Sequence, residues 1–517
     1  MGSSCLRAGV AVVDITCAPG ETYDALLPEK AKKHIPREYL GIRLEVDDPV
    51  SARVLALDDG KTRIVLITMD VTAIGARSIS QNILNDSADD FMPKLRARLN
   101  ADFALLPHNI GVYASHTHQT PRILCDDSEQ LERVASAVGE ALRNLTPVEI
   151  GIGTSRENTL TFNRTIMLKN GTDYTLPPYP LEDDIDRLRP IDSEIGILRV
   201  DRLDGTPLAV VYNFASHLLL GSPKGNSGHI TADHVGVTRH YLESAIGAGA
   251  TAFFLQGSLG DVNELTCHDY NNRNRTIEFG TQLGQSVLDG YTGITVAPAT
   301  IALVTRQIAF PLRNDIPDRL VQLSQKQEML RSSLNTQYAY LLSFKEFLPL
   351  YLRYTLNPKY PSYPSYHYLK AAEIGDTSLD EKDRKNLLQI KKYLERIQTM
   401  EEMTRNELKI SMLKKHQEII EEIGSSTINA EITGIRIGDC LLITAPMEIL
   451  TEVGLHVKKI SPFPHTFVIS LANGYLHYAA PASYYPRGGY EVTECLLAPE
   501  WEELFYNTVQ ELFEQLC

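Results

Sequence analysis

Two histidines one residue apart, His116 and His118, stand in the run Ser115-His116-Thr117-His118-Gln119-Thr120-Pro121, directly after the apolar segment Ile110 to Ala114. In an extended chain residues i and i+2 share a face, so both imidazoles can converge on one point and serve a metal ion or a proton transfer there. The pattern alone does not decide between these, because H-x-H also occurs in plain loops. His217 ends the apolar run Leu208 to Ala215. A lone histidine beside a buried strand is more often a satisfied core residue than a ligand, unless it has partners. The partners come late in the chain. Glu448 follows the strand pattern Cys440 to Thr444 and Pro446, a carboxylate at a strand end, where α/β proteins tend to place their sites. Beyond it lie Asn473-Gly474-Tyr475-Leu476-His477-Tyr478 and Tyr490-Glu491. Two histidines and a glutamate with an open position are the ligand set of catalytic zinc. The stretch Gln256-Gly257-Ser258-Leu259-Gly260-Asp261-Val262-Asn263 could turn backbone N–H groups toward a bound oxyanion, or simply need glycine for a tight turn.

The elements that must position these residues follow from hydrophobic period. From Leu6 to about Pro311 β-rich runs (Val10 to Ile15, Ala52 to Leu57, Arg63 to Met69, Ile110 to Ala114, Glu194 to Val200, Leu208 to Phe214, Ala252 to Leu255) mix with helical patterns (Glu129 to Leu145, Val235 to Ile246, Thr276 to Leu288). Buried strands mixed with helices predict a layered α/β domain built on a mixed sheet. Between residues 317 and 424 the composition turns helical, and this segment is expected as an insertion or subdomain within a single catalytic domain spanning residues 1–517. Ser378-Leu379-Asp380-Glu381 reads as a capping box and Gly424 as a helix stop. Leu387, Ile390, Leu394, Ile397 and Met400 give one apolar stripe. A single helix of that length would project roughly 65 Å, so a break or a helical hairpin is expected. A packing or homo-oligomerisation appendage is the plain reading. The tract Tyr360 to Tyr368, rich in Tyr and Pro, reads either as an aromatic loop for stacking on a sugar, a lipid or another subunit, or as a stiff surface connection. Strand patterns return at Ala430 to Ile437, Cys440 to Thr444 and Thr466 to Leu471, and a helix from Pro499 to Leu516 closes the chain.

Composition narrows the function classes. The 517 residues carry 50 Lys+Arg against 65 Asp+Glu, a net charge of −15, with no basic stripe. That excludes phosphate-backbone binding as a main task and disfavours a polyanionic substrate. No apolar run reaches the roughly 20 residues of a membrane span. The first residues lack the layout of a secretory signal, so a cytoplasmic location is expected unless a signal has been removed. Seven cysteines (Cys5, Cys17, Cys125, Cys267, Cys440, Cys495 and Cys517) form no close pair. They suggest neither a disulfide framework nor a zinc knuckle, and most are expected to be small buried hydrophobes.

Taken in order, these motifs resemble those of the neutral/alkaline (non-lysosomal) ceramidases. The matching pieces are Gly9-Val-Ala-Val-Val-Asp-Ile-Thr16, the S-H-T-H-x-x-P run from Ser115, Asn163-Arg164, Asn213-Phe-Ala-Ser-His217, Ala232-Asp233 with Gly236, Leu259-Gly-Asp-Val262, Pro446-Met-Glu448, and Asn473-x-Tyr-x-His-Tyr478 with Tyr490-Glu491. They run in family order over nearly the whole chain. The resemblance implies one catalytic zinc held by His116, His217, Glu448 and Tyr478. It further implies that His118, Arg164 and Tyr490 surround the scissile amide, with Tyr490 steadying the oxyanion. Two departures stand out. The serine that follows the G-D-V turn in true ceramidases, and acts there as nucleophile, is Asn263 here, and an amide cannot take that role. Nearby Ser258, Thr266 and Cys267 do not occupy the matching place. The chain also stops soon after the tyrosine motif, without the C-terminal immunoglobulin-like domain of the long ceramidases.

Chemistry without the serine is still complete. Zinc lowers the pKa of a bound water to about 7, and the hydroxide can attack an amide or ester carbonyl directly. His118 is then the expected general acid/base, Arg164 and Tyr490 meet the developing charge, and Asn263 orients the substrate. The expected activity is zinc-dependent hydrolysis of a non-peptide amide, or an ester, in a small-molecule, glycan or lipid-like substrate. Its rivals are genuine ceramide N-deacylation with an altered nucleophile, and a degenerate binding protein.

Overall fold

The computed structural model describes residues 5–16, 22, 41, 43–76, 79, 89–119, 127–175, 180–221, 229–265, 275–335 and 342–517. They divide into two compact units, Met1–Arg313 with Ile419–Cys517, and Asn314–Glu418.

In the first unit the Val-, Ile- and Leu-rich runs pair into an eight-stranded sheet. Its order is Thr251–Gln256, Pro207–Phe214, Glu194–Arg202, Thr146–Arg156, Arg7–Asp14, Ser51–Asp58, Arg63–Met69 and Ile110–Ala114. The interior pairings are antiparallel. The outermost pair at each edge is parallel, with Phe214 opposite Gln256 at one edge and Met69 opposite Ala114 at the other. A second sheet joins Ile301–Pro311, Thr427–Ile437, Cys440–Thr444 and His465–Ile469, again ending in a parallel pair.

The strands facing one another share a core in which Leu55, Leu66, Val211 and Phe253 of the first sheet meet Ile435, Leu442, Phe467 and Ile469 of the second. Gly196 makes that approach possible, since a Cβ there would lie 2.5 Å from the Phe467 ring. The outer face of the first sheet is covered by the helices Phe91–Phe103, Asp127–Arg143, Asp233–Ile246 and Arg275–Thr292. The outer face of the second carries Thr451–Ile460 and Trp501–Leu516. The result is the layered α/β fold with a mixed sheet, in four layers, helix on sheet on sheet on helix. The strand Thr146–Arg156 escapes sequence reading because Gly151 and Gly153 dilute its pattern. Both are small because Ile294 crosses them, with a Cβ at either position within 2.6 Å of that side chain.

In the second unit the helices Ile316–Asn335, Phe344–Leu356 and Ser365–Ile374 precede Ser378–Ile423, which is one unbroken helix of 46 residues. The expected break does not occur, because the segment contains neither Gly nor Pro; of its apolar stripe Ile390 is buried against Phe347 and Tyr354, whereas Leu387, Leu394 and Met400 are exposed. Asn406 Nδ2 donates to the Leu323 carbonyl and to Gln327 Oε1, both at 2.8 Å, and Phe347 stacks on Tyr393 at 4.0 Å. The cap also differs from expectation. Asp376 accepts from the Ser378 backbone N–H at 2.9 Å and from its hydroxyl, and the helix begins at Ser378 itself, one residue earlier than a Ser378 cap would place it. Gly424, at φ 65°, does end it. The tyrosine tract is not wholly a loop, since its second half is helical from Ser365. The hydroxyls of Tyr354, Tyr368 and Ser362 all donate to the Asp383 carboxylate, which ties the tract down as a stiff connection.

Cys440 and Cys495 are buried as expected, whereas Cys5 and Cys517 are exposed. Cys17, Cys125, Thr266 and Cys267 lie outside the described residues.

Candidate metal centre

Each histidine and the glutamate sit just past the C-terminal end of a strand that has a parallel neighbour: His116 after Ile110–Ala114, His217 after Pro207–Phe214, Glu448 after Cys440–Thr444. At such ends open α/β sheets leave a crevice for ligands. Gln256, fully buried at the end of its own strand, binds the two histidine loops together by donating to the carbonyls of Ser115 at 2.8 Å and Ser216 at 2.9 Å. His116 adopts a positive φ of 71°, a conformation non-glycine residues rarely hold unless the surroundings impose it.

The rings are held at their outer nitrogens. His116 Nδ1 lies 2.7 Å from the Thr72 carbonyl, and His217 Nδ1 lies 2.9 Å from that of Val262. A carbonyl only accepts, so each Nδ1 carries the proton and each Nε2 presents a lone pair. Both lone pairs face one carboxylate oxygen, Glu448 Oε2, at 3.5 and 3.3 Å. The other oxygen, Oε1, accepts from the Tyr475 hydroxyl at 2.6 Å. Glu448 Oε2 itself is buried without a hydrogen-bond partner. Three acceptors facing one another without a proton between them call for a cation. Ligand atoms about 2.0–2.1 Å from a tetrahedral zinc lie roughly 3.3–3.4 Å apart, the spacing found here. The carbonyls behind the imidazoles and the phenol behind the carboxylate are the outer partners such a site needs.

Electrostatics agree with a neutral His217 and an ionised Glu448. Burial, followed by the Arg164 charge, lowers the His217 pKa to about 4. Burial opposes ionisation of Glu448, but His116 and His217 outweigh it and hold its pKa well below the usual carboxylate range.

His118 Nε2 reaches to 3.2 Å from His116 Nε2, and the ring nitrogens of His116, His118 and His217 gather within 4.8 Å. Unlike the other two, His118 is exposed. Desolvation of its inner edge and then His116 and His217 lower its pKa, and solvent on its outer side moderates the first of these causes.

Arg164 is the hub on the other side. Its Nε donates to Glu491 at 2.9 Å, Nη1 to Asn263 Oδ1 at 2.9 Å, and Nη2 to the Gly260 carbonyl at 2.8 Å and the Tyr478 hydroxyl at 3.0 Å. Nη1 also stands 3.5 Å from His217 Nε2. With its donors directed at protein atoms, Arg164 braces the site more than it meets a substrate. Tyr478 pairs across a short parallel bridge with Glu448, and Tyr490 covers the guanidinium at 5.5 Å. Burial raises both phenols above their ordinary pKa. These contacts connect His116, His118, His217, Glu448, Arg164, Asn263, Tyr478 and Tyr490 in one neighbourhood.

In the glycine turn, in contrast, the N–H groups of both glycines and of Val262 are already engaged and are not offered to an oxyanion. Gly257 N–H donates to Phe214, Gly260 N–H to Ile449 and Val262 N–H to Leu259, all to backbone carbonyls. Its glycines serve close approach, since a Cβ on Gly260 would stand 2.7 Å from the Glu448 carbonyl. Sequence reading missed Gln256, the carbonyls of Thr72 and Val262, and the specific roles of Tyr475 and Glu491. Gln256, Val262, Tyr475 and Glu491 lay inside motifs already noted, whereas nothing local marked the Thr72 carbonyl.

No protein-family model and no curated protein matches the chain. Among solved structures it is similar to a neutral ceramidase from Pseudomonas aeruginosa, with 15% identity, a TM-score of 0.59, and coverage of 99% of this chain and 75% of that one. It is likewise similar to a ceramidase complexed with C2, with 15% identity, a TM-score of 0.60, and coverage of 99% and 76%. At that identity the likeness is one of fold.

Proposed function

We propose that this chain is a zinc-dependent hydrolase of non-peptide amide bonds. The observation that carries the reading is the triangle of His116 Nε2, His217 Nε2 and Glu448 Oε2, three buried acceptors at zinc-ligand spacing. Tyr478, beside Glu448 and receiving an N–H from Arg164, is the fourth donor in this reading. Bound zinc supplies Lewis acidity and a water that ionises near neutral pH. His118, near the ligands yet open to solvent, takes a proton from the attacking water and passes it to the leaving amine nitrogen. Tyr490, kept protonated by burial, offers its O–H to the developing oxyanion. Arg164 holds Asn263, Tyr478 and Glu491 in register and keeps positive charge beside the reacting carbonyl. Asn263 orients the substrate and supplies no nucleophile. Amide hydrolysis, and a lipid-like acyl group, come to this chain from the ceramidases it resembles in fold.

Metal analysis together with a panel of N-acyl amides tests this. Purified protein is expected to hold about one zinc per chain. His217→Ala is expected to lose most of it, along with turnover. Full metal occupancy in that variant would refute the ligand set. Long-chain ceramide is expected to be a poor substrate because of Asn263, and turnover of ~1 to 1000 per second on it would refute that part.

A further inference from the structure

Among the described residues seven that are not glycine hold a positive φ, and three of them, Leu471 (56°), Asn473 (62°) and His477 (60°), stand within one turn. For a leucine this conformation is an outlier, and such strain persists only where the surroundings impose it. Pairing on two sides imposes it here. On one side Asn473 N–H donates to the Val112 carbonyl and Asn473 Oδ1 accepts from the Val112 N–H, both at 2.8 Å, while Ala114 N–H donates to the Leu471 carbonyl at 3.2 Å. On the other side Ala472 N–H donates to the Ala445 carbonyl at 3.0 Å, Leu476 N–H to that of Pro446 at 2.7 Å, and Glu448 N–H to that of His477 at 3.0 Å. The turn therefore joins the strand that delivers His116 to the segment that delivers Glu448.

Asn473 bonds to the His116 strand through its side chain as well as its backbone, and that side chain is itself anchored. Its Nδ2 donates to Glu431 Oε1 at 2.9 Å. Glu431, on the strand Thr427–Ile437 of the second sheet, is gripped in turn by Arg96 of the helix Phe91–Phe103 through two parallel hydrogen bonds at 2.8 and 2.7 Å, and Arg96 Nη2 also donates to the Ile110 carbonyl at 2.9 Å. With side chains only 17% and 12% exposed, the pair is little screened, and its two-pronged geometry fixes direction. A turn that merely covered the free edge of Ile110–Ala114 would need backbone pairing alone. A carboxamide held from behind by a buried ion pair also fixes where that strand stands relative to Glu448.

We infer that Asn473, anchored by Glu431, is a positioning residue for the metal centre and sets the separation of His116 from Glu448. The inference rests on the metal-binding part of the proposed function. It adds a determinant of affinity that touches none of the ligand side chains.

The test is zinc affinity of the whole protein by chelator competition, with the absorption spectrum of bound cobalt(II) as a second readout of ligand geometry. Asn473→Gly keeps the positive φ and removes the carboxamide. It is expected to weaken zinc about tenfold, the low end for groups behind the ligands, and to change the cobalt(II) bands. Asn473→Asp sets a carboxylate against Glu431 and should weaken zinc at least as much. Adding Glu431→Gln to it reverses donor and acceptor across that contact, keeps one negative charge near Arg96, and should recover most of the loss. If Asn473→Gly does not fold, the Asn473→Asp single and double variants decide. Unchanged zinc affinity and cobalt(II) spectrum in the single variants overturn the inference while the ligand set stands, and a fall in melting temperature alone would make the turn an edge cover. Failure of the double variant to recover overturns it as well. Absence of zinc from the unmodified protein would instead remove the metal reading and this inference together.

Discussion

Two buried clusters of the first unit use the same residue types and reach opposite ends. Around Glu448, both imidazoles are tied by Nδ1 to backbone carbonyls, so their Nε2 lone pairs meet on one carboxylate oxygen that has no proton donor. Around Glu264 the carboxylates accept from backbone N–H groups and burial pushes both toward their protonated forms, although Glu264 Oε2 and His234 Nδ1 have no hydrogen-bond partner. Asp233 accepts from His234 and Gly221 at 2.6 and 3.0 Å, and Glu264 accepts from Leu219 at 2.7 Å. His234 Nε2 contacts the His217 carbonyl at 3.4 Å and stands 3.9 Å from Glu264. The first arrangement is short of a cation. The second braces the loop that presents His217. Residue identity does not separate a ligand set from a brace; the direction of the lone pairs does.

The sharpest way to break this contrast is at His118, which the geometry brings beside the ligands and the proposal assigns to proton transfer. His118→Ala is expected to keep its zinc and lose turnover by ~100- to 10,000-fold, as acid/base groups typically do. Zinc titration run beside single-turnover rates separates the roles, since joint loss of metal and rate would make His118 a ligand.

A smaller effect is expected behind the carboxylate. Tyr475→Phe removes the hydroxyl that holds Glu448 Oε1 and should weaken zinc by about 10- to 100-fold, measured by competition with a chelator. If affinity is unchanged, Tyr475 is a packing residue and the outer half of the site lies elsewhere.

The smallest effect belongs to the bracing cluster. Burial lowers the His234 pKa to about 3, so the folded state keeps it neutral while the unfolded chain, near the ordinary value of about 6.5, takes up a proton. Stability from this group is therefore whole above about pH 6.5 and is lost as pH falls toward 3. Between pH 6 and 5 the unmodified protein should lose about 1 kcal/mol more than His234→Gln, read from denaturant curves at each pH. Zinc content of the variant should stay at the wild-type level, and loss of metal would erase the distinction between the clusters.

How much of this was legible in the sequence depends on the reach of each interaction. The strand Arg63–Met69 and the strand Ile110–Ala114 appear with their bounds as expected, because β-branched runs between polar breaks carry their own signal. The strand Thr146–Arg156 did not, because its glycines answer to Ile294, a distant residue that only packing reveals. The long helix was legible as helix, but its packing on Ile316–Asn335 through Asn406 and on Phe344–Leu356 through Ile390 and Tyr393 was not.

At the site the division is the same. The residue types proposed to hold a metal, His116, His217, Glu448 and Tyr478, with the places of the first three at strand ends, were legible in the sequence alone, since donor chemistry is a property of the side chain. Tertiary structure decided which atoms of those side chains face one another. Thr72 and Val262 orient the rings through carbonyls that any residue could supply, and Gln256 joins two loops far apart in the chain. A backbone carbonyl has no sequence signature, and a hydrogen bond is directional. The tautomer of each imidazole, and with it the triangle of facing acceptors, therefore exists only once the strands have brought those loops together.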